Sequence, residues 1–144
     1  MADKVNLDIT QKCNYKHHIF INHTNHTSAN WSEEQRLAAE VYGTIVDLAL
    51  PEMHPEYDEA QIEELARASA AQILALRPVA VLCQGEFTYS FALVRLLQAQ
   101  GITVLAACSE RRAQEEWQGN VSRKVSYFQF VQFRRYPEDS KLAG

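Results

Sequence analysis

The chain has 144 residues, 47% of them hydrophobic and 22% charged, with 18 acidic residues against 14 Lys and Arg. That length fits one domain of the usual ~100–150 residues, able to fold without a metal or disulfide staple, and five Gly and four Pro exclude collagen-like and low-complexity chains. The net charge of -4 argues against non-specific nucleic-acid binding but leaves room for a small phosphorylated ligand in one local pocket.

Residues 1–16 carry no clear period and read as an N-terminal extension. His18–Asn22 predicts a short buried strand, followed by a polar loop, His23–Asn30. Ser32 then caps a helix with Gln35 at the third helical position, and Tyr42-Gly43 ends it with Gly in the left-handed conformation. Thr44–Leu50 predicts a second strand closed by Pro51. After a turn at Pro55–Asp58, Asp58 caps a long helix to about Leu76, with Ile62, Leu65, Ala66, Ile73 and Leu76 on one stripe. Pro78 stops that helix and leads into a third strand, Val79–Cys83. Gln84-Gly85-Glu86 turns into a helix over Phe87–Gln100, which Gly101 terminates, and Ile102–Ala107 is the fourth strand.

The period then changes. Arg111–Trp117 and Val121–Tyr136 flank Gln118-Gly119-Asn120 and predict a β-hairpin whose second arm joins the sheet edge over Tyr127–Phe133. The order β-α-β-α-β-α-β, with strands of continuous apolar character, implies an α/β fold: a small Rossmann-like, mostly parallel sheet with helices on both faces and a C-terminal β-hairpin. A single domain over residues 17–136 is expected, followed by a polar tail at 137–144.

The start of the chain lacks the apolar stretch of a signal peptide. The longest apolar runs, such as Ile102–Cys108, fall far short of the ~20 residues that span a bilayer. A cytoplasmic, soluble protein without membrane contact is therefore expected, and the sequons at Asn22, Asn25, Asn30 and Asn120 are accidental on that reading. Cys13, Cys83 and Cys108 are odd in number, and Cys83 and Cys108 sit in apolar runs where Cys packs as a small hydrophobe.

Ligands of open α/β sheets bind outside the carboxyl ends of the strands, and three polar segments meet there: Asn22–Ser28, Gln84–Thr88 and Cys108–Arg112. Gly85 permits a sharp turn, after which Glu86, Phe87 and Thr88 present N–H groups suited to an anion. The same turn equally serves as an ordinary strand-to-helix connection in which Glu86 or Thr88 satisfies local backbone. No P-loop and no G-x-G-x-x-G is present, which disfavours a large nucleotide site. Arg111 or Arg112 can fork onto a phosphate with Ser109 as a further donor, or pair with Glu110, Glu115 or Glu116 on the hairpin surface. His26 is the group best placed for acid–base work near neutral pH, with His23 as runner-up; both also read as loop side chains with local roles. His17, His18, His23, His26 and Cys13 lack the spacing of a metal site, so neither metal nor cofactor is expected. Cys108 as a nucleophile gives way to Cys108 as packing. Trp31 reads as a hydrophobic staple to the first helix. Phe128, Phe130 and Phe133 suit a core or a dimer surface.

The segment Ile19-Phe-Ile-Asn-His-Thr-Asn-His-Thr-Ser-Ala-Asn-Trp-Ser-Glu-Glu-Gln resembles the opening of small CRISPR-associated Rossmann-like proteins of type III systems, some of them regarded as ring nucleases. The closing Phe-Gln-Phe-Val-Gln-Phe-Arg-Arg-Tyr is similar too, so the likeness spans roughly residues 17–136. The resemblance implies a homodimer that binds cyclic oligoadenylate across its two-fold axis. It also implies metal-independent cleavage, by in-line attack of a ribose 2′-hydroxyl, to 2′,3′-cyclic phosphates. Asn25, His26 and Ser28 match the family's opening pattern; the 16-residue extension departs from it.

The candidate site then combines His26, Arg111 and Glu86 as catalytic groups. Asn22, Asn25, Ser28, Gln84, Gly85, Phe87, Thr88, Ser109, Glu110 and Arg112 are the ligand contacts. Glu86 fits less well, since a carboxylate repels phosphate unless it bonds adenine or ribose or orients an Arg. Cleavage of cyclic oligoadenylate, non-catalytic binding of it as a sensor or sponge, and an unrelated nucleotide or sugar-phosphate hydrolase are the three functions that fit these residues.

Overall fold

A computed structural model describes residues 18–138; the expected extension at 1–16, with Cys13 and His17, and residues 139–144 of the tail lie outside the described residues. The elements are β1 (Ile19–Thr24), a 3-10 turn (Ser28–Asn30), α1 (Glu33–Glu40), β2 (Thr44–Asp47), α2 (Glu59–Ala75), β3 (Ala80–Gln84), α3 (Phe87–Ala99), β4 (Thr103–Gln118) and β5 (Val121–Arg135). They form one five-stranded sheet in the order β2-β1-β3-β4-β5. The first four strands run parallel, and β5 returns antiparallel to β4. The α/β fold with a mostly parallel sheet and a C-terminal hairpin is the one expected from the apolar periodicity.

Neighbouring residues of a strand point to opposite faces, and both faces of this sheet are dry. Ile21, Val81, Cys83 and Val104 pack on one side against Ile62, Ala66, Ile73, Tyr89, Leu93 and Leu97 of α2 and α3. Phe20, Ala80, Leu82 and Leu105 pack on the other against Ala39 of α1, with Trp31, Tyr42 and Phe133 closing the edge. Burial on both faces is why these strands read as unbroken apolar runs. Trp31 meets the ring of Phe20 at 6.3 Å and that of Phe133 at 6.3 Å, so it joins this smaller core just ahead of α1.

Local chemistry sets the helix ends. Asp58 and Gln61 exchange side-chain-to-backbone bonds of 2.8 Å each at the start of α2, a full capping box. Ser32 Oγ accepts from Gln35 N–H at 3.2 Å at the start of α1. Gly43 differs from expectation: its φ of 158° is nearly extended, not left-handed. Glycine is required there because a Cβ would lie 2.2 Å from the His18 carbonyl oxygen.

Three boundaries move. β1 continues to Thr24, which draws His23 out of the expected loop and into the sheet. β2 stops at Asp47, and Leu48 and Leu50 reach the core from outside the sheet. Cys108–Glu110 is no loop, since β4 runs unbroken for 16 residues. Because β3 pairs with β4 only through Leu82–Leu105, the hairpin beyond that point leaves the sheet as a two-stranded arm. β5 therefore meets the sheet proper only at its end, where Arg135 faces Leu105, and not over Tyr127–Phe133. A β-bulge between Cys108 and Ser109, with Val131 as the extra residue, marks where the arm departs.

Candidate functional site

The connection through α1 runs from β1 outward to β2, whereas α2 carries the chain back past β1 to β3. The carboxyl ends of β1 and β3 therefore diverge, which makes a crevice at the point where ligands of such sheets bind. A cleft of about 860 Å³ opens there. Its floor is Leu82, Gln84, Gly85 and Ala107, from the ends of β3 and the middle of β4. One wall is the β1–α1 loop and the first turn of α1, with Asn25, His26, Asn30, Trp31 and Gln35; the other is the root of the arm, with Ser109, Phe128, Gln129 and Phe130. Glu33 and Glu34 also line it, and among the described residues no Lys or Arg does.

The β1–α1 loop is held by a residue that sequence reasoning missed. Asp47, at the end of β2, accepts from Asn22 Nδ2 at 2.8 Å, from Ser28 N–H at 3.1 Å and Oγ at 3.0 Å, and from Thr27 Oγ1 at 3.2 Å. These bonds hold the Asp47 carboxyl below its ordinary range against a partial desolvation that acts the other way. Asn22 in turn donates to the His26 carbonyl at 2.8 Å and accepts from Thr24 Oγ1 at 2.9 Å. Asn22 and Ser28 thus hold the loop and do not line the cleft. Their bonds present Asn25 and His26 to the cleft. The signal in the sequence is a lone acid inside an apolar run, Thr44-Ile-Val-Asp-Leu, which must find donors wherever the strand ends.

His23 is buried, with Nδ1 donating to the Leu48 carbonyl at 2.7 Å and Nε2 accepting from Tyr89 O–H at 2.6 Å. Desolvation lowers its pKa, so the ring stays neutral and both nitrogens are engaged. Burial likewise pushes Tyr89 up to about 12 and the Cys83 thiol up to about 11. Of the two histidines only His26 faces the cleft, and its imidazole makes no hydrogen bond among the described residues.

The start of α3 is closed. Glu86 accepts from Tyr89 N–H at 2.8 Å and from Thr88 Oγ1 at 2.6 Å, and these bonds hold its carboxyl below the ordinary range. Gly85 N–H donates to Ser90 Oγ at 3.1 Å. The carboxylate of the chain itself occupies the place a phosphate would take, so Glu86 and Thr88 serve as a cap, and Phe87 is 90% exposed. Gln84 Oε1 accepts from Ala107 N–H at 2.8 Å, which satisfies β4 just past its pairing with β3 and leaves the Gln84 NH2 as a donor at the cleft floor.

The arginines sit on the arm instead of a strand-end loop. Arg112 forms an ion pair with Glu110 at 2.9 Å on the face away from Ser109. Arg111 shares the face of Ser109, Phe128 and Phe130, one step beyond the cleft, and makes no ion pair among the described residues. Of the expected site residues, Asn25, His26, Gln84, Gly85 and Ser109 line the cleft, while Asn22, Ser28, Glu86, Phe87, Thr88, Glu110, Arg111 and Arg112 do not. Among the described residues no group of three or more His, Cys, Asp or Glu is placed to hold a metal, and no helix is long and apolar enough to cross a membrane.

The family model described as "Uncharacterized protein MJ1673 family" matches residues 18–134, from the first residue before β1 almost to the end of β5. The chain belongs to the MJ1673 family. The MJ1673 match takes in both walls of the cleft and the whole arm, so cleft and arm lie inside the family's span. No curated protein matches the chain.

Proposed function

We propose that this protein binds cyclic oligoadenylate in the switch-point cleft and holds it uncleaved, as a sensor or sponge. The reading joins the sequence resemblance to the chemistry of the lining. Trp31, Phe128 and Phe130 offer aromatic faces, and Asn25, Asn30, Gln35, Gln84 and Gln129 offer amides. Aromatic faces stack on bases, at about 1–3 kcal/mol per base, and Asn or Gln side chains pair with the N6/N7 edge of adenine. The observation that carries the reading is this amide-and-aromatic lining with Glu33 and Glu34 and, among the described residues, no Lys or Arg. Such a cleft selects bases over phosphates.

A second reading, cleavage by in-line attack of the 2′-hydroxyl, is favoured by one observation: the unengaged His26 imidazole in the cleft wall. Proton transfer by a positioned histidine contributes roughly 10²–10⁴-fold. Glu86 takes no part in either reading.

Incubation with cyclic tri-, tetra- and hexa-adenylate in EDTA, followed by calorimetric titration and chromatography of the recovered nucleotide, tests both. Saturable binding with intact ligand, absent for cyclic uridylate, is the expected result. Turnover that disappears in His26→Ala would replace binding by cleavage, and no binding of any ring would overturn both readings.

A further inference from the structure

The net charge of -4 is unevenly placed along the chain. β4 and β5 hold six of its 14 Lys and Arg but only three of its 18 Asp and Glu, so basic residues gather on the hairpin of an otherwise acidic protein. The arm also carries uncovered rings: Trp117 is 65% exposed and Phe128 75%.

The two faces of the arm differ. On one, Glu110 pairs with Arg112 at 2.9 Å and Glu116 with Arg123 at 3.8 Å, so those charges are satisfied within the chain. The other carries, from root to tip, Phe128 opposite Arg111, then Ser126, then Lys124 opposite Glu115, then Trp117 opposite Ser122. Among the described residues no ion pair engages Arg111 or Lys124, and no ring packs on Phe128 or Trp117. Two free cations on this face stand against the one carboxylate of Glu115.

Residues on one face of a strand repeat about every 6.8 Å, close to the step between successive nucleotides of an unstacked strand. Phe128 and Trp117 stand three such steps apart, about 20 Å, with Arg111 beside the first ring and Lys124 one step short of the second. Flat rings alternating with cations at this step suit a polymer that carries a π-face and a phosphate in every unit. An acidic peptide meets the cations but has nothing to lay on the rings. Ser126 and Ser122 add two exposed hydroxyls to the same face, partners for a ribose 2′-hydroxyl. We infer that this face of the arm binds single-stranded RNA, with bases stacked on Phe128 and Trp117 and phosphates held by Arg111 and Lys124. The bound segment is about four nucleotides long, as the distance between the rings requires. At the root, Glu33 and Glu34 on the far wall of the cleft repel phosphates and keep the RNA backbone on the arm. A duplex turns its base faces inward and offers the rings nothing to stack on. The binding needs no assignment of the cleft's ligand.

Fluorescence anisotropy of end-labelled linear oligouridylate with the full chain is the test, since a cleft that reads adenine does not take uridylate. Saturable binding is expected, with Kd on the order of 10⁻⁵ M at low salt. Two phosphate contacts on a single strand give log K a slope of about -1.4 against log salt, and Arg111→Gln and Lys124→Gln are each expected to reduce it to about -0.7. Trp117→Ala is expected to weaken binding about fivefold or more, whereas Trp117→Phe, which keeps a ring, stays within about twofold of the wild type. Circular dichroism and Tm confirm that each variant folds. Duplex RNA, the deoxy strand and polyglutamate are each expected to compete several-fold less well than the RNA strand. No binding, normal binding by Trp117→Ala, salt slopes unchanged in both charge variants, or any of the three competitors matching the RNA strand would each overturn the assignment. Cyclic oligoadenylate binding is read separately, by calorimetry, so failure of the cleft's ligand assignment leaves this result untouched.

Discussion

A histidine bonded as His23 is, from Nδ1 to the Leu48 carbonyl and at Nε2 by Tyr89 O–H, has no place for a second ring proton. Burial lowers its native pKa, while the unfolded chain protonates near the ordinary value of about 6.5. Between those two values the unfolded state binds more protons, so stability from this residue is full above about pH 6.5 and is lost as pH falls toward the native pKa. The urea midpoint of the wild type is expected to drop from pH 7 to pH 5, and His23→Gln, less stable at pH 7, to show a flatter profile over that interval. Equal slopes in the two proteins would remove His23 as the cause. Asp47 acts lower on the scale. Its carboxyl is held below the ordinary range, so its contribution is present above about pH 4 and is lost on further acidification. Asp47→Ala removes four hydrogen-bonded contacts to Asn22, Thr27 and Ser28. It is expected to cost about 1–3 kcal/mol in urea unfolding and to weaken ligand binding as Asn25 and His26 lose their anchor.

The elements whose apolar residues meet a dry surface were legible in the sequence, and those in water were not. Phe20 and Ile21, or Val81 and Leu82, face two cores at once and read as buried strand; Asp58 with Gln61 and Gly101 with its φ of 77° read as helix ends. Among the described residues nothing covers either face of the arm beyond Cys108, so no core imposes alternation on Ser109–Arg112, and a continuous strand passed for a loop. Leu48 and Leu50 misled in the opposite sense, being apolar because they pack on the core from outside the sheet. At the site, the positions of the β1–α1 and β3–α3 connections followed from topology, but which side chains face the cleft depends on register and capping. Glu86 shows the difference. An acid at a helix start reads as ligand contact or as cap, and only the 2.8 Å bond from Tyr89 N–H decides. Glu86→Ala is expected to lower stability by about 1 kcal/mol while leaving cyclic-nucleotide affinity unchanged by calorimetry; a loss of affinity would return α3 to the binding site.

On the scale of the whole molecule, stability is concentrated where strands have neighbours on both edges and both faces. β1 lies between β2 and β3 with a core on either side, and β3 lies between β1 and β4 in the same way. Among the described residues the arm has one strand neighbour per strand and no cover, and it adds no fully buried side chain to either core. Amides of Phe20–Asn22 and Val81–Cys83 are therefore expected to exchange with solvent only through global opening, the slowest class. Amides of the arm beyond Ser109 are expected to exchange orders of magnitude faster by local opening in dilute protein. Hydrogen–deuterium exchange, read peptide by peptide, checks this. Arm amides as slow as those of β1 would mean that the arm is as stable as the central strands, and the concentration of stability in β1 and β3 would be wrong.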